Sequence, residues 1–344
     1  VFERVRVAPG AAPPAEKAAV DVAVLDMNHG WPNLGHDSMV QVVAEAAEAL
    51  RPTLERAGLR VRVLSYDVRL EAALPDPPGE RFSLYLGTGG PGDIDPRGND
   101  GVAPGSQCII EDPRWEAPLF RLLDAVRDDP SAAFLGVCHS FGVLCRWSGT
   151  AEPVLRSRAK GGRSAGIKEN LLAPEALGHP WFSRFAAALP PDHRLTVVDH
   201  RLFDLVPRGP RPASVVVIGH ETLGRGGPAG DAVTMVEWAR DEEGMPRIFG
   251  VNHHPEITDR AGQRVLLEGK HARGEVSPEW YLDRLGILTQ EHPDDARDQR
   301  LRLTSEYTLV GPLRHHLGRL VRRRAQERGG AGLELAAHAA GRTA

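Results

Sequence analysis

The chain is poor in cysteine and has no long apolar run. Three cysteines in 344 residues do not make a disulfide framework, and a reducing, cytoplasmic setting is expected. No apolar stretch reaches the length of a membrane span, and the segment VFERVRVAPG has no apolar core of the signal-peptide kind. An excess of basic charge is missing too. The formal net charge is -4, which gives no general pull toward nucleic acid or an acidic membrane surface, and neither partner is expected. The metal spacings HExxH and CxxC do not occur, and no Walker lysine or dinucleotide fingerprint accompanies a glycine-rich loop. Neither a metal nor a cofactor is expected. The grouping His220, Glu221, His253 and His254 has zinc-type side chains, but side-chain type without ligand spacing does not make a site. No internal repeat is found.

What is present is an ordinary soluble composition, 41% hydrophobic and 26% charged, in a chain long enough for one large core or two modest ones. Residues 8–19, APGAAPPAEKAA, are Ala/Pro-rich, and 1–19 is expected to be a flexible arm. Strand-like runs follow at Val20–Met27, Leu59–Tyr66, Phe82–Leu86 and Ala132–Leu135, with helical patterns over about Met39–Arg56 and Phe120–Val126 between them. Strands alternating with helices predict an open α/β sheet, doubly wound and mostly parallel. Residues 155–167, rich in Arg, Lys and Gly, suggest a solvated loop. Short β-like runs recur at Leu195–Asp199, Ser214–Gly219, Ala232–Glu237 and Arg247–Val251. Beyond about residue 268 the pattern turns helical. Ser277 and Pro278 start one helix. Pro312–Arg328 forms another, with Leu313, Leu317, Leu320 and Val321 on one side. The expected organisation is therefore an arm over 1–19, an α/β domain over 20–268 and a helical extension over 269–344, frayed from Gly329 on.

The stretch AAFLGVCHSFGVLCRWSG, Ala132–Gly149, carries the strongest chemical signal. An apolar strand runs into Gly136-Val137-Cys138-His139-Ser140 and then into a helical segment. A nucleophile on a sharp strand-to-helix turn needs small residues two positions either side, and Gly136 and Ser140 stand there. The sulfur would also face the unpaired N–H groups of the helix start. Cys145 lies among Val143, Leu144 and Trp147 and suggests a buried core thiol. On one helix the two sulfurs would be roughly 10 Å apart, too far to bridge.

A cysteine nucleophile needs an imidazole and a group that orients it. His254 and Glu256 flank Pro255 at the end of a strand-like run, and in a doubly wound sheet strand ends form the reactive edge. Gly87-Thr88-Gly89-Gly90-Pro91-Gly92-Asp93, after the third of the strands above, offers backbone N–H groups for an oxyanion.

These three motifs, in this order, resemble the class I glutamine amidotransferase family over about Val20 to residue 268. The resemblance implies a flavodoxin-like open sheet carrying a Cys-His-Glu triad. It implies Cys138 as nucleophile, His254 as general base and acid, Glu256 as its orienter, and the N–H groups of Gly90 and His139 as the oxyanion hole. Substrate contacts would fall on Gly89, Ser140, His200 and Arg201. Two departures stand out. Where the family has Gly and Gln, two and four positions beyond the cysteine, this chain has Ser140 and Gly142. Where it has a His-Ser or His-Gly step, this chain has Asp199-His200-Arg201-Leu202.

The first function so implied is cleavage of a glutamine-type amide through a thioester, with ammonia passed to a separate synthase subunit. A second is a cysteine-dependent hydrolase or acyltransferase of the same superfamily acting on another amide or ester. A third is a binding module on this fold without turnover.

Overall fold

Alternation of short apolar runs with amphipathic segments produces one wide sheet with helices on both faces. The structure is a computed structural model describing residues 1–11, 13–157, 162–221, 232–289 and 295–340. The first half contains β1 (Phe2–Val7), β2 (Ala19–Asp26), α1 (Gly35–Ala49), α2 (Arg51–Ala57), β3 (Arg60–Asp67), α3 (Val68–Glu71), β4 (Phe82–Gly87), α4 (Glu116–Asp128), β5 (Ala133–Val137) and α5 (His139–Ser148). Next come β6 (Glu152–Leu155), β7 (Ser164–Leu172), α6 (Pro174–Leu177), α7 (Phe182–Ala188), β8 (Arg194–Arg201), β9 (Phe203–Val206), β10 (Val216–Glu221), β11 (Ala232–Arg240) and β12 (Pro246–Val251). The chain ends with α8 (Arg260–Ala272), α9 (Pro278–Thr289), α10 (Asp295–Ser305), a π-helical turn (Glu306–Val310) and α11 (Gly311–Ala340).

The main sheet runs β1-β3-β2-β4-β5-β12-β11-β10-β7-β8, and β6 pairs with β9 separately. All pairs from β1 to β12 are parallel, and the pairs from β12 to β8 are antiparallel. The architecture is thus α/β with a mostly parallel, mixed sheet and a C-terminal helical extension. The chain steps from β2 outward to β3, then crosses β2 to reach β4. That reversal opens a crevice at the strand ends, lined by the loops after β2 and β4.

The flexible arm expected over 1–19 fails at its start. Phe2–Val7 alternates Val with charged residues and adds β1 to the sheet edge in register with Val61–Tyr66 of β3. The rest of the segment is tied down as well. Arg62 donates to Glu16 Oε1 and the Pro14 carbonyl, and Arg81 to the Pro13 carbonyl. The helix expected over 39–56 divides at Leu50, because Pro52 opens a new helix, α2.

Leu313, Leu317 and Val321 of α11 recur at a spacing of four, and with Leu320 they enter the same core as Val22, Val24, Leu84 and Leu86. The C-terminal helices and the sheet therefore share one core. The backbone of 329–340 continues α11; the last four residues of the expected frayed tail, like 158–161 of the expected solvated loop, lie outside the described residues. Among the described residues no helix is long and apolar enough to cross a membrane.

Three histidines are carried into the interior uncharged. Burial pushes His316, whose Nε2 donates to the Pro246 carbonyl, down to about 4. Burial, aided by His254, pushes His253 down to about 3. Burial, with Arg69 and Arg146 nearby, holds His139 well below its usual value. Unfolded imidazoles bind a proton near pH 6.5, so below that value the unfolded chain holds more protons than the folded one. Stability should therefore fall as pH drops from about 6.5 toward 4, by up to about 1.4 kcal/mol per pH unit for each histidine. Melting temperatures across that range check this; a flat profile would contradict it.

Candidate active site

Strand register brings the site together. Gly87 of β4 pairs with Gly136 of β5, and Gly136 with Gly250 of β12. The three glycines form a row across adjacent strands, where α5 lies directly on the sheet. A Cβ at Gly136 would lie 2.9 Å from Leu144 Cδ1, one at Gly250 2.7 Å from Phe141 Cδ2, and one at Gly87 would overlap Ser140. This close approach lets the chain turn abruptly from β5 into α5. Cys138 sits on the turn at φ 51°, ψ -101°, a left-handed conformation that costs a residue with a Cβ about 1–3 kcal/mol.

One residue pair further along the register, Val137 is level with Val251. Cys138 N donates to the Val251 carbonyl at 2.8 Å, so β5 and β12 deliver Cys138 and the Asn252–Glu256 segment to the same place. His254 Nδ1 donates to Glu256 Oε1 at 2.8 Å. A Cβ at Gly89 would lie 2.8 Å from His254 Cε1 and 3.4 Å from Cys138 Cβ, so His254 and Cys138 both lie against Gly89. Burial opposes charge on His254. The Glu256 carboxylate, hydrogen-bonded to the ring, and the charge of the nearby Cys138 sulfur outweigh it and raise the imidazole well above its usual pKa. The arrangement favours a protonated His254 between a sulfur and a carboxylate, as nucleophilic catalysis by cysteine requires.

The antiparallel half of the sheet curls over this centre. β8 is at the far end of the strand order, yet the Val198 carbonyl accepts from His254 N at 2.8 Å. The His200 carbonyl accepts from Cys138 Sγ at 3.9 Å. The C-terminal helices brace the other side: Ser305 Oγ donates to the Pro255 carbonyl at 2.6 Å.

The glycine loop after β4 is held by a buried network that the sequence did not announce. Arg69 donates to both oxygens of Glu111, and its Nη1 to the carbonyls of Met27 and Pro91. Trp115 Nε1 and Asn99 Nδ2 also donate to Glu111. Gly90 is pressed so closely on the Met27 carbonyl that a Cβ would overlap it. Among the described residues, neither the Gly90 N–H nor the His139 N–H makes a hydrogen bond, and both residues line the cavity over Cys138.

That cavity is about 670 Å³. Of the expected substrate contacts, Gly89, His200 and Arg201 line it and Ser140 does not. Ser140 is turned inward, donating from Oγ to the Thr88 carbonyl at 2.7 Å, because the glycine row seats it between β4 and β5. Arg201 is buried, with its guanidinium set among Asp199, Asp204 and Glu221. At Gly142 a Cβ would lie 2.5 Å from Ile94 Cδ1, so Ile94 fills the space that a side chain at 142 would take. Sequence reasoning missed Asn28, Trp31, Asn252, Arg163, Trp280 and Arg284, all of which line the cavity.

Gly89→Ala tests the tightness of this centre. The added methyl pushes on the imidazole, and a displacement of about 1 Å is expected to lower turnover about 100-fold. Turnover and melting temperature measured together separate displacement from unfolding; unchanged turnover would contradict the packing.

Among the described residues, His220, Glu221, His253 and His254 do not converge as a metal-ligand set. Asp241, His315 and His316 bring ligand atoms within 4.8 Å of one another. However, Arg319 donates to the same Asp241 oxygen as His315, His316 Nε2 is taken by the Pro246 carbonyl, and none of the three lines the Cys138 cavity.

No family model matches the chain, and no curated protein matches it by sequence. Among solved structures it is similar to a glutamine amidotransferase from Thermotoga maritima. The identity is 15% and the TM-score 0.47, with 87% of this chain and 98% of that one covered. It is also similar to a glutamine amido transferase from Methylobacillus flagellatus (13% identity, TM-score 0.42, 90% and 93% covered). A third similar structure is the glutaminase domain of a Trypanosoma brucei CTPS with bound acivicin (9% identity, TM-score 0.42, 80% and 96% covered).

Proposed function

We propose that the chain is a cysteine-dependent amide-cleaving enzyme of the glutaminase type, with Cys138, His254 and Glu256 as its triad. Cys138 Sγ adds to the carbonyl carbon of a side-chain amide. The N–H groups of Gly90 and His139 take the developing oxyanion. His254, oriented through Nδ1 by Glu256, gives its other ring proton to the departing nitrogen, which leaves as ammonia. Water then loses a proton to His254, adds to the thioester and restores the thiol. The released ammonia would serve a separate synthase subunit, and a reducing compartment such as the cytoplasm would keep Cys138 free. The observation that carries this reading is the shared register of β5 and β12, which sets a strained cysteine against a carboxylate-paired imidazole. Incubation with glutamine, following ammonia, tests it against a Cys138→Ala control. Cysteine-dependent release supports it; release that survives the substitution overturns it.

A second reading keeps the thioester and changes the substrate. It is favoured by Ile94 filling the space beside Gly142 and by the inward turn of Ser140. The first leaves no side chain where the family has Gln, and the second takes from the cavity a hydroxyl expected to contact the substrate.

A further inference from the structure

The cavity over Cys138 has the volume of a pocket for a drug-sized ligand rather than for a single small amino acid. Trp31, Ile94, Phe203, Ile257, Trp280 and Leu288 give it apolar walls. Three arginines also face it, and they differ in what surrounds them. Arg201 is buried among Asp199, Asp204 and Glu221. Arg163 is exposed and, among the described residues, makes no ion pair or hydrogen bond. Arg284, on α9, lies 5.4 Å over the Trp280 ring, and among the described residues its carboxylate partner is the largely exposed Asp283 at 3.8 Å. Among the described residues the acidic one that lines the cavity, Asp199, is engaged by Ser164 Oγ and Arg201. Two guanidiniums are thus left without a committed carboxylate.

Their charges reach the reacting centre. Burial pushes His200 down to about 3, and His254, Arg284 and Arg163 add to the effect. Burial likewise lowers Arg284, and Arg163 lowers it further. Two like charges at one cavity, one of them partly desolvated, repel each other unless an anion sits between them. Arg284 stacked on an indole presents a planar fork suited to bidentate contact with a carboxylate.

We propose that Arg163 and Arg284 form a carboxylate-binding subsite, and that the substrate is an amide with an apolar body, longer than free glutamine, ending in a carboxylate remote from the scissile bond. The proposal rests on the amide-cleaving reading above and narrows it to a substrate class.

The test uses ω-carbamoyl straight-chain carboxylic acids of increasing length, each paired with its neutral methyl ester. Ammonia release from the full chain should favour the acid over its ester by about tenfold or more in kcat/KM, chiefly through KM. Arg163→Met and Arg284→Met should each reduce that ratio, and together bring it near one. Equal rates for acid and ester, or a preference that survives the double substitution, would overturn the subsite. Calorimetric titration of Cys138→Ala with the same acids reads binding without chemistry, and adding the exposed-site change Arg163→Met should weaken it. Arginine-dependent binding without ammonia release from wild type would keep the subsite and remove the amide-cleaving reading. Cysteine-dependent release with no preference for the acid would do the reverse. Neither binding nor release would remove both.

Discussion

Cys138→Ala should lower amide cleavage by on the order of 10⁴-fold or more, because it deletes the proposed nucleophile. The loss should be chemical, not structural. The substitution removes one sulfur, whose hydrogen bond is the long 3.9 Å contact to the His200 carbonyl, and alanine keeps the backbone of the turn. A large fall in melting temperature is therefore not expected. Cys108→Ala is the matching control, since Cys108 is exposed and Cys145 is buried. Activity should follow Cys138 alone. Ammonia release within tenfold of wild type in a folded Cys138→Ala protein would contradict the assignment.

Glu256→Gln should cost on the order of 10³-fold in turnover. Glu256 Oε1 accepts the Nδ1 proton of His254 at 2.8 Å, fixing both the ring and its tautomer. A carboxamide fills the same space without the charge. Since the carboxylate raises the His254 pKa, its removal should lower it, so the imidazolium survives only to a lower pH. The form able to protonate the leaving nitrogen then becomes scarcer at neutral pH. NMR titration of the His254 ring in wild type and variant reads this shift directly. An unchanged titration midpoint with unchanged turnover would contradict the role.

The proposed triad was legible because its signals are local. An apolar run ending among small residues around Cys138, and His-Pro-Glu after a second run, keep their meaning without any tertiary contact. The glycines at 87, 136 and 250 were visible as letters, but their alignment in one row depends on strand order, which the sequence does not print. Ser140 was read as facing the substrate because its spacing from Cys138 says nothing of orientation; the Thr88 carbonyl decides that. Among the strands, β1 (FERVRV), β6 (EPVL), β7 (SAGIKENLL) and β9 (FDLV) were missed: β1 lies at the sheet edge, β1, β6 and β7 are partly exposed and admit charged residues that weaken an apolar pattern, and β6 and β9 are only four residues long. Arg163, Trp280 and Arg284 were missed for a different reason. α9 reaches the cavity from far along the chain, and no local pattern announces such an arrival.

The most direct measurement of the central claim is the mass of the Cys138 peptide after rapid acid quench of the full chain turning over an amide. A thioester mechanism requires the acyl mass on Cys138, and slower deacylation in His254→Ala should make any adduct formed there persist longer. Turnover with an acyl adduct on Cys108 or Cys145 instead, or adduct formation that Cys138→Ala leaves unchanged, would contradict it.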